Sequence, residues 1–167
     1  MSKLLFVLAT VIGCLSAVAI DHTPCPLAPP VITPLTETNP GALQMAGVER
    51  CGDGVLLDVR LDGCTTAPCT FRRGQYYNIG VDFINPESGD YGNVFFKALT
   101  YRANEVQIIA PDLYLEGVRI NSNTQYRFDY DIYIPPTGFT GDNSELRFTV
   151  YQNMRRPLCV VIPAIIV

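Results

Sequence analysis

The chain has 167 residues, 48% of them hydrophobic and 17% charged, which is enough apolar material for one domain with a sizeable core. Twelve basic against sixteen acidic side chains give a formal charge of −4, and the pairs Arg72-Arg73 and Arg155-Arg156 stand alone. No basic stripe is offered to a polyanion, so nucleic acid is excluded as an expected partner.

Residues 1–19 read as a secretory signal peptide. Lys3 is the basic start, Leu4 to Val18 the apolar run, and Ala17-Val18-Ala19 the small-x-small pattern of a cleavage site. Cleavage after Ala19 removes Lys3 and no acid, taking the charge of −4 to −5. No later run has the continuous apolar length of a membrane span, because Arg, Asp or Glu interrupts each one. The mature protein is expected outside the cytosol, secreted or in the lysosomal lumen. Of six cysteines, Cys14 leaves with the leader, so Cys25, Cys51, Cys64, Cys69 and Cys159 remain. An odd number in an oxidising compartment implies two bridges and one leftover thiol. Cys64 and Cys69 form the local pair. The sequence does not fix the second, but Cys51 begins the body and Cys159 ends it, which favours joining these two. Cys25 is then a capped thiol or the link of a disulfide-bonded dimer.

Residues 20–46 are rich in proline, with Pro24, Pro26, Pro29, Pro30, Pro34 and Pro40. That density excludes helix and central strand, and predicts an extended tail or spacer. The body, 47–167, is a series of short alternating runs. Val55 to Leu61 places Leu57, Val59 and Leu61 opposite Asp58 and Arg60. Cys64 to Cys69 is a small pinned loop stiffened by Pro68, and it feeds a strand from Gln75 to Ile84 with Tyr77, Ile79, Val81 and Phe83 on one face. Asn85 to Asp90 is a turn by composition. In Asn93 to Tyr101, Val94, Phe96 and Ala98 lie opposite Lys97, whose side is expected to face water. Val106 to Ile109 is a short apolar run stopped by Pro111. Thr124 to Ile134 sets Tyr126, Phe128, Tyr130, Ile132 and Ile134 against Arg127, Asp129 and Asp131. Leu146, Phe148 and Val150 alternate with polar neighbours, and an apolar strand from Leu158 to Val167, broken by Pro163, ends the chain. No window carries a helical period. The expected fold is all-β, a sandwich of seven to eight antiparallel strands in two sheets.

The usual catalytic chemistries are poorly supplied. The single histidine, His22, lies in the tail, so no His-based triad or His-rich metal site is available to the body. Paired cysteines are oxidised and so are not nucleophiles. Asp129 and Asp131 share a strand face, but on the polar side of an amphipathic strand such carboxylates are ordinarily solvated charges. No catalytic residue, metal or cofactor is expected. The excess lies elsewhere, in aromatic and branched apolar side chains on one face of each strand, which either fill a core or line a space between splayed sheets.

Cys51-Gly52-Asp53-Gly54-Val55, Cys64 and Cys69 around Pro68, Arg73-Gly74-Gln75 followed by Tyr77, Val81 and Phe83, and Leu158-Cys159-Val160-Val161-Ile162-Pro163-Ala164-Ile165 resemble the MD-2-related lipid-recognition (ML) family. Within it they are most similar to Niemann-Pick type C2-like proteins and group 2 mite allergens. The likeness covers about Val48 to Val167. It implies an immunoglobulin-like β-sandwich enclosing an apolar cavity for a sterol, fatty acid or similar lipid, and the bridges Cys51 with Cys159 and Cys64 with Cys69. The ligand-lining set it implies, together with the strand faces, is Val59, Tyr77, Val81, Phe83, Phe96, Val106, Ile108, Phe128, Tyr130, Phe139, Phe148 and Val150. Val106 stands where sterol carriers of the family carry Phe, so the mouth is expected to be wider or shaped for another ligand. Leu113 and Val118 occupy the positions of a third disulfide found in many relatives, and the loop between them is expected to be more mobile.

The expected function is therefore a secreted lipid carrier that hands its ligand to a membrane or protein acceptor. Two rivals remain. One is an extracellular interaction protein that presents a bound lipid to a partner, and the other is an enzyme or enzyme activator acting on lipids.

Overall fold

A computed structural model of the chain describes residues 28–35, 45–86 and 92–167. The expected leader, His22, Cys25 and most of the turn after Pro86 lie outside the described residues. Seven long strands arise from the alternating runs: β3 (Val55–Leu61), β5 (Tyr76–Asn85), β6 (Val94–Arg102), β7 (Glu105–Tyr114), β8 (Thr124–Tyr133), β9 (Gly141–Gln152) and β10 (Arg155–Ile166). Three short ones join them, β1 (Val31–Pro34), β2 (Glu49–Arg50) and β4 (Cys69–Phe71). Among the described residues there is no helix.

Two sheets result, one ordered β1-β8-β5-β3 and the other β2-β10-β9-β6-β7, with β4 running along β10. In the first, Ile79, Val81 and Phe83 pair directly with Tyr130, Phe128 and Tyr126. Because partners in a ladder share a face, period-two patterning in both strands makes one continuous apolar surface. In the second, Phe96 and Ala98 pair with Val150 and Phe148, and Val160 and Ile162 continue the surface through Phe148 and Leu146. The two surfaces pack on each other, and all of these side chains are buried. Burying them is the main source of stability, at about 25 cal/mol per Å² of apolar area.

Four local expectations are corrected. The tail is not wholly a spacer, since Val31–Pro34 pairs antiparallel with β8 and joins the sheet as an edge strand. Proline is compatible with that position because an edge strand need not donate outward. Second, β7 does not stop at Pro111 but runs on to Tyr114, again as an edge strand. Third, a bulge between Leu56 and Asp58 makes Leu56 the partner of Phe83, so Leu56 packs on the core ahead of Val59 and Leu61 while Leu57 is the extra residue. Fourth, β4 pairs with β10 in parallel, through Ala164, Ile165 and Ile166. Pro163 falls in the interval between the β2 and β4 partners of β10, so the strand is not broken there.

Both expected bridges form. Cys51–Cys159 joins the start of the body to β10, with Cα atoms 4.9 Å apart. Cys64–Cys69 closes the small loop at 5.6 Å, with a cis peptide bond between Ala67 and Pro68. The Cys-Gly-Asp-Gly stretch is explained by the same junction. The Asp53 amide donates to the Arg156 carbonyl at 2.9 Å, and the Asp53 carboxylate accepts from the Arg156 amide at 3.0 Å. At Gly54 a Cβ would sit 1.9 Å from the Pro157 carbonyl oxygen, so only glycine lets the chain pass that close.

Candidate functional site

The inner faces of the two sheets bring together most of the expected lining set. Phe96 of β6 is the hub: its ring centroid lies 5.1 Å from that of Phe128 and 4.7 Å from that of Tyr130 across the sandwich, and 6.4 Å from Phe148 in its own sheet. Phe83 stacks on Tyr126 at 5.7 Å. Val59, Val81 and Val150 complete this layer, each buried. The rings meet in tilted and offset geometries at distances typical of favourable aromatic pairs. A ligand lying between the sheets must therefore part side chains that touch one another.

Tyr77 and Phe139 sit at the margin, half-buried against the core. The Tyr77 ring meets the Phe71 ring edge-on at 5.1 Å, and its hydroxyl accepts a hydrogen bond from the Arg72 amide at 2.7 Å. Burial, followed by the charge of Asp131, pushes the Tyr130 phenol above its ordinary value, so it is neutral at physiological pH.

Val106 and Ile108 are not part of this interior. Each is 58% exposed, and they pair with Tyr101 and Leu99 on the outer face of the second sheet. The register irregularities on either side of Ala98 set the phase of β7. The inward position between Val106 and Ile108 is Gln107, the partner of buried Thr100. A polar residue inside an apolar run gave no signal of a site. Its side-chain amide donates to the Thr137 carbonyl at 2.8 Å, bridging β7 to the loop that leaves β8. Leu113 and Val118 are both half-buried and pack against the core.

The polar faces carry the charge. On the outside of the first sheet, Arg127 and Arg60 both hold Asp82, and Arg60 also holds Asp58. Burial alone would push the Asp82 carboxyl up. The hydrogen bonds and charges of the two arginines outweigh it and bring the carboxyl down to about 2. On the outside of the second sheet, Phe95 and Tyr114 pack at 5.5 Å at one end of the β6–β7 ladder, and Val106 and Ile108 are exposed toward its other end. A shallow cleft of about 420 Å³ opens at the Phe95 end, lined by Phe95, Lys97, Asp112, Tyr151 and Asn153. Lys97 pairs with Asp112 at 3.4 Å there. Among the described residues no group of three or more His, Cys, Asp or Glu is placed to hold a metal ion.

No family model matches the chain, and no curated protein matches it significantly. Among solved structures, it is similar to the crystal structure of a Niemann-Pick type C2 protein from Japanese carpenter ant. The TM-score is 0.54 at 16% sequence identity, over 71% of this chain and 98% of that one. The likeness shows the fold, an immunoglobulin-like β-sandwich of two sheets.

Proposed function

We propose that the protein is a secreted lipid carrier of the ML type, which holds a sterol, fatty acid or similar apolar ligand between its two sheets and delivers it to a membrane or protein acceptor. The observation that carries this reading is the interface between the sheets. It is apolar on both sides, rich in rings around Phe96, and built on the fold of a Niemann-Pick type C2 protein. Removing roughly 300 Å² of hydrocarbon from water is worth about 7 kcal/mol, and this is the driving force that acts against displacing the rings. The two disulfides suit an oxidising compartment. In this reading the chain carries its ligand and does not transform it.

Native mass spectrometry with lipid extraction of the protein from a eukaryotic secretory host is the direct test. One sterol or fatty acid per chain is expected. An empty protein that also binds none of a panel of sterols, fatty acids and hydrophobic dyes would overturn the reading. The second reading, a protein that presents its lipid to a partner, is favoured by the outer face of β6 and β7, where Phe95, Val106, Ile108 and Tyr114 are exposed.

A further inference from the structure

Among the described residues β7 is an edge of the second sheet. On it, Gln107 pairs with Thr100, which is buried on the same inner face as Phe96 and Ala98, while Val106 and Ile108 on either side belong to the outer face. The Gln107 Nε2 reaches the Thr137 carbonyl at 2.8 Å. Thr137 belongs to the loop that carries the chain from β8 in the first sheet to β9 in the second, so this bond ties one sheet's edge to the exit of the other. Gly138 next to it has φ +123, and a Cβ there would lie 2.3 Å from the Gln107 Oε1. The loop thus leaves an empty place that the Gln107 side chain fills. Phe139, the following residue, packs half-buried on the core.

Resting on the carrier reading, we infer that Gln107 is the gate of the ligand path, a latch whose hydrogen bond to Thr137 must open before a lipid passes between the sheets at the end bounded by the β6–β7 turn and the 135–140 loop. The bond lies at the protein surface, where water competes for both partners. Its net worth corresponds to about a fivefold bias toward the closed form. That is weak enough to open spontaneously and strong enough to set a rate. Once released, the amide both donates and accepts, and so suits the hydroxyl or carboxylate head of an amphiphile waiting at the mouth.

The test uses Gln107→Leu, which keeps the bulk and removes the donor, with Ile108→Ser on the outer face as the control. Stopped-flow fluorescence with dehydroergosterol and with cis-parinaric acid should show uptake and release both about fivefold faster in Gln107→Leu, with the Kd moving less than either rate. In ligand-free protein, hydrogen exchange over residues 135–140 should accelerate in the same variant. Wild-type rates and exchange in Gln107→Leu overturn the gate, and so does an equal change in Ile108→Ser, which would mean general loosening of β7. If neither probe binds even the wild type, the carrier reading fails, while the exchange measurement still decides whether the latch exists.

Discussion

Asp82 lies beneath Arg127 in a two-pronged pair, with the Arg127 Nε and Nη2 each donating to a different carboxylate oxygen at 2.8 Å. Arg60 approaches the same carboxylate from the opposite neighbouring strand at 3.0 Å. A carboxyl near 2 in the fold and near 3.9 when unfolded stabilises the protein above pH 4, and that contribution is lost as the pH falls through 2. The upper bound is about 2.5 kcal/mol. The arginine side chains are 42% and 41% exposed, so screening reduces it. Urea midpoints measured from pH 5 to 2 should fall steeply in the wild type and less steeply in Asp82→Asn, which is itself weaker by about 1 to 2 kcal/mol at pH 7. An unchanged acid slope in Asp82→Asn would assign the acid sensitivity to other groups.

The two disulfides close loops of very different length, with sequence separations of 108 for Cys51–Cys159 and 5 for Cys64–Cys69. Chain entropy assigns about 4 to 5 kcal/mol to the first and about 2 kcal/mol to the second. Serine pairs at Cys51 and Cys159 should therefore lower the urea midpoint roughly twice as far as serine pairs at Cys64 and Cys69. Equal losses would mean that packing around the small loop, such as Cys69 against Met45, matters more than its closure.

β1 tests whether the proline-rich segment contributes to the fold. Ile32 pairs with Phe128 and packs on the core, whereas Val31 beside it is 54% exposed. Ile32→Ser should cost about 1 to 2 kcal/mol, and Val31→Ser should stay within about 0.5 kcal/mol. The comparison is a pair of thermal melts. Similar shifts for both would mean that the strand does not present alternate faces.

How legible this fold was depended on how local each signal is. β5 and β8 alternate without interruption, so Val81, Phe83, Phe128 and Tyr130 could be assigned to the interior from their spacing alone. β3 and β7 could not be read that way. A bulge at Leu57 and irregular pairing around Ala98 move side chains to the other face, and a bulge is a property of two paired strands that neither sequence announces. Val106 and Ile108 enter the lining set through the family resemblance, whereas the pairing of β7 turns them outward and leaves Gln107, which carries no signal in the sequence, between them. β1 depends on pairing across about a hundred residues, so its prolines spoke more loudly than its partner. Asp58 and Arg60 read correctly as a polar face. The burial of Asp82 did not, because its cover comes from arginines on two neighbouring strands.

Phe96 and the Val106–Ile108 pair separate the inside of the sandwich from its outside. Phe96 is fully buried and touches rings from both sheets, so Phe96→Ala should cost about 3 to 5 kcal/mol, with the spread set by how far the site collapses. If the protein holds its ligand between the sheets, the same change should also alter the affinity for dehydroergosterol at least tenfold, because the ring at the centre of the binding layer is gone. Val106→Ser with Ile108→Ser removes exposed side chains on the other face, and should leave both stability and sterol affinity nearly unchanged. Titrations in a buffer where each variant is shown by circular dichroism to be folded decide the matter. An affinity that follows Val106 and Ile108 and ignores Phe96 would place the ligand on the outer face of β6 and β7, where Phe95 and Tyr114 already offer an aromatic shelf.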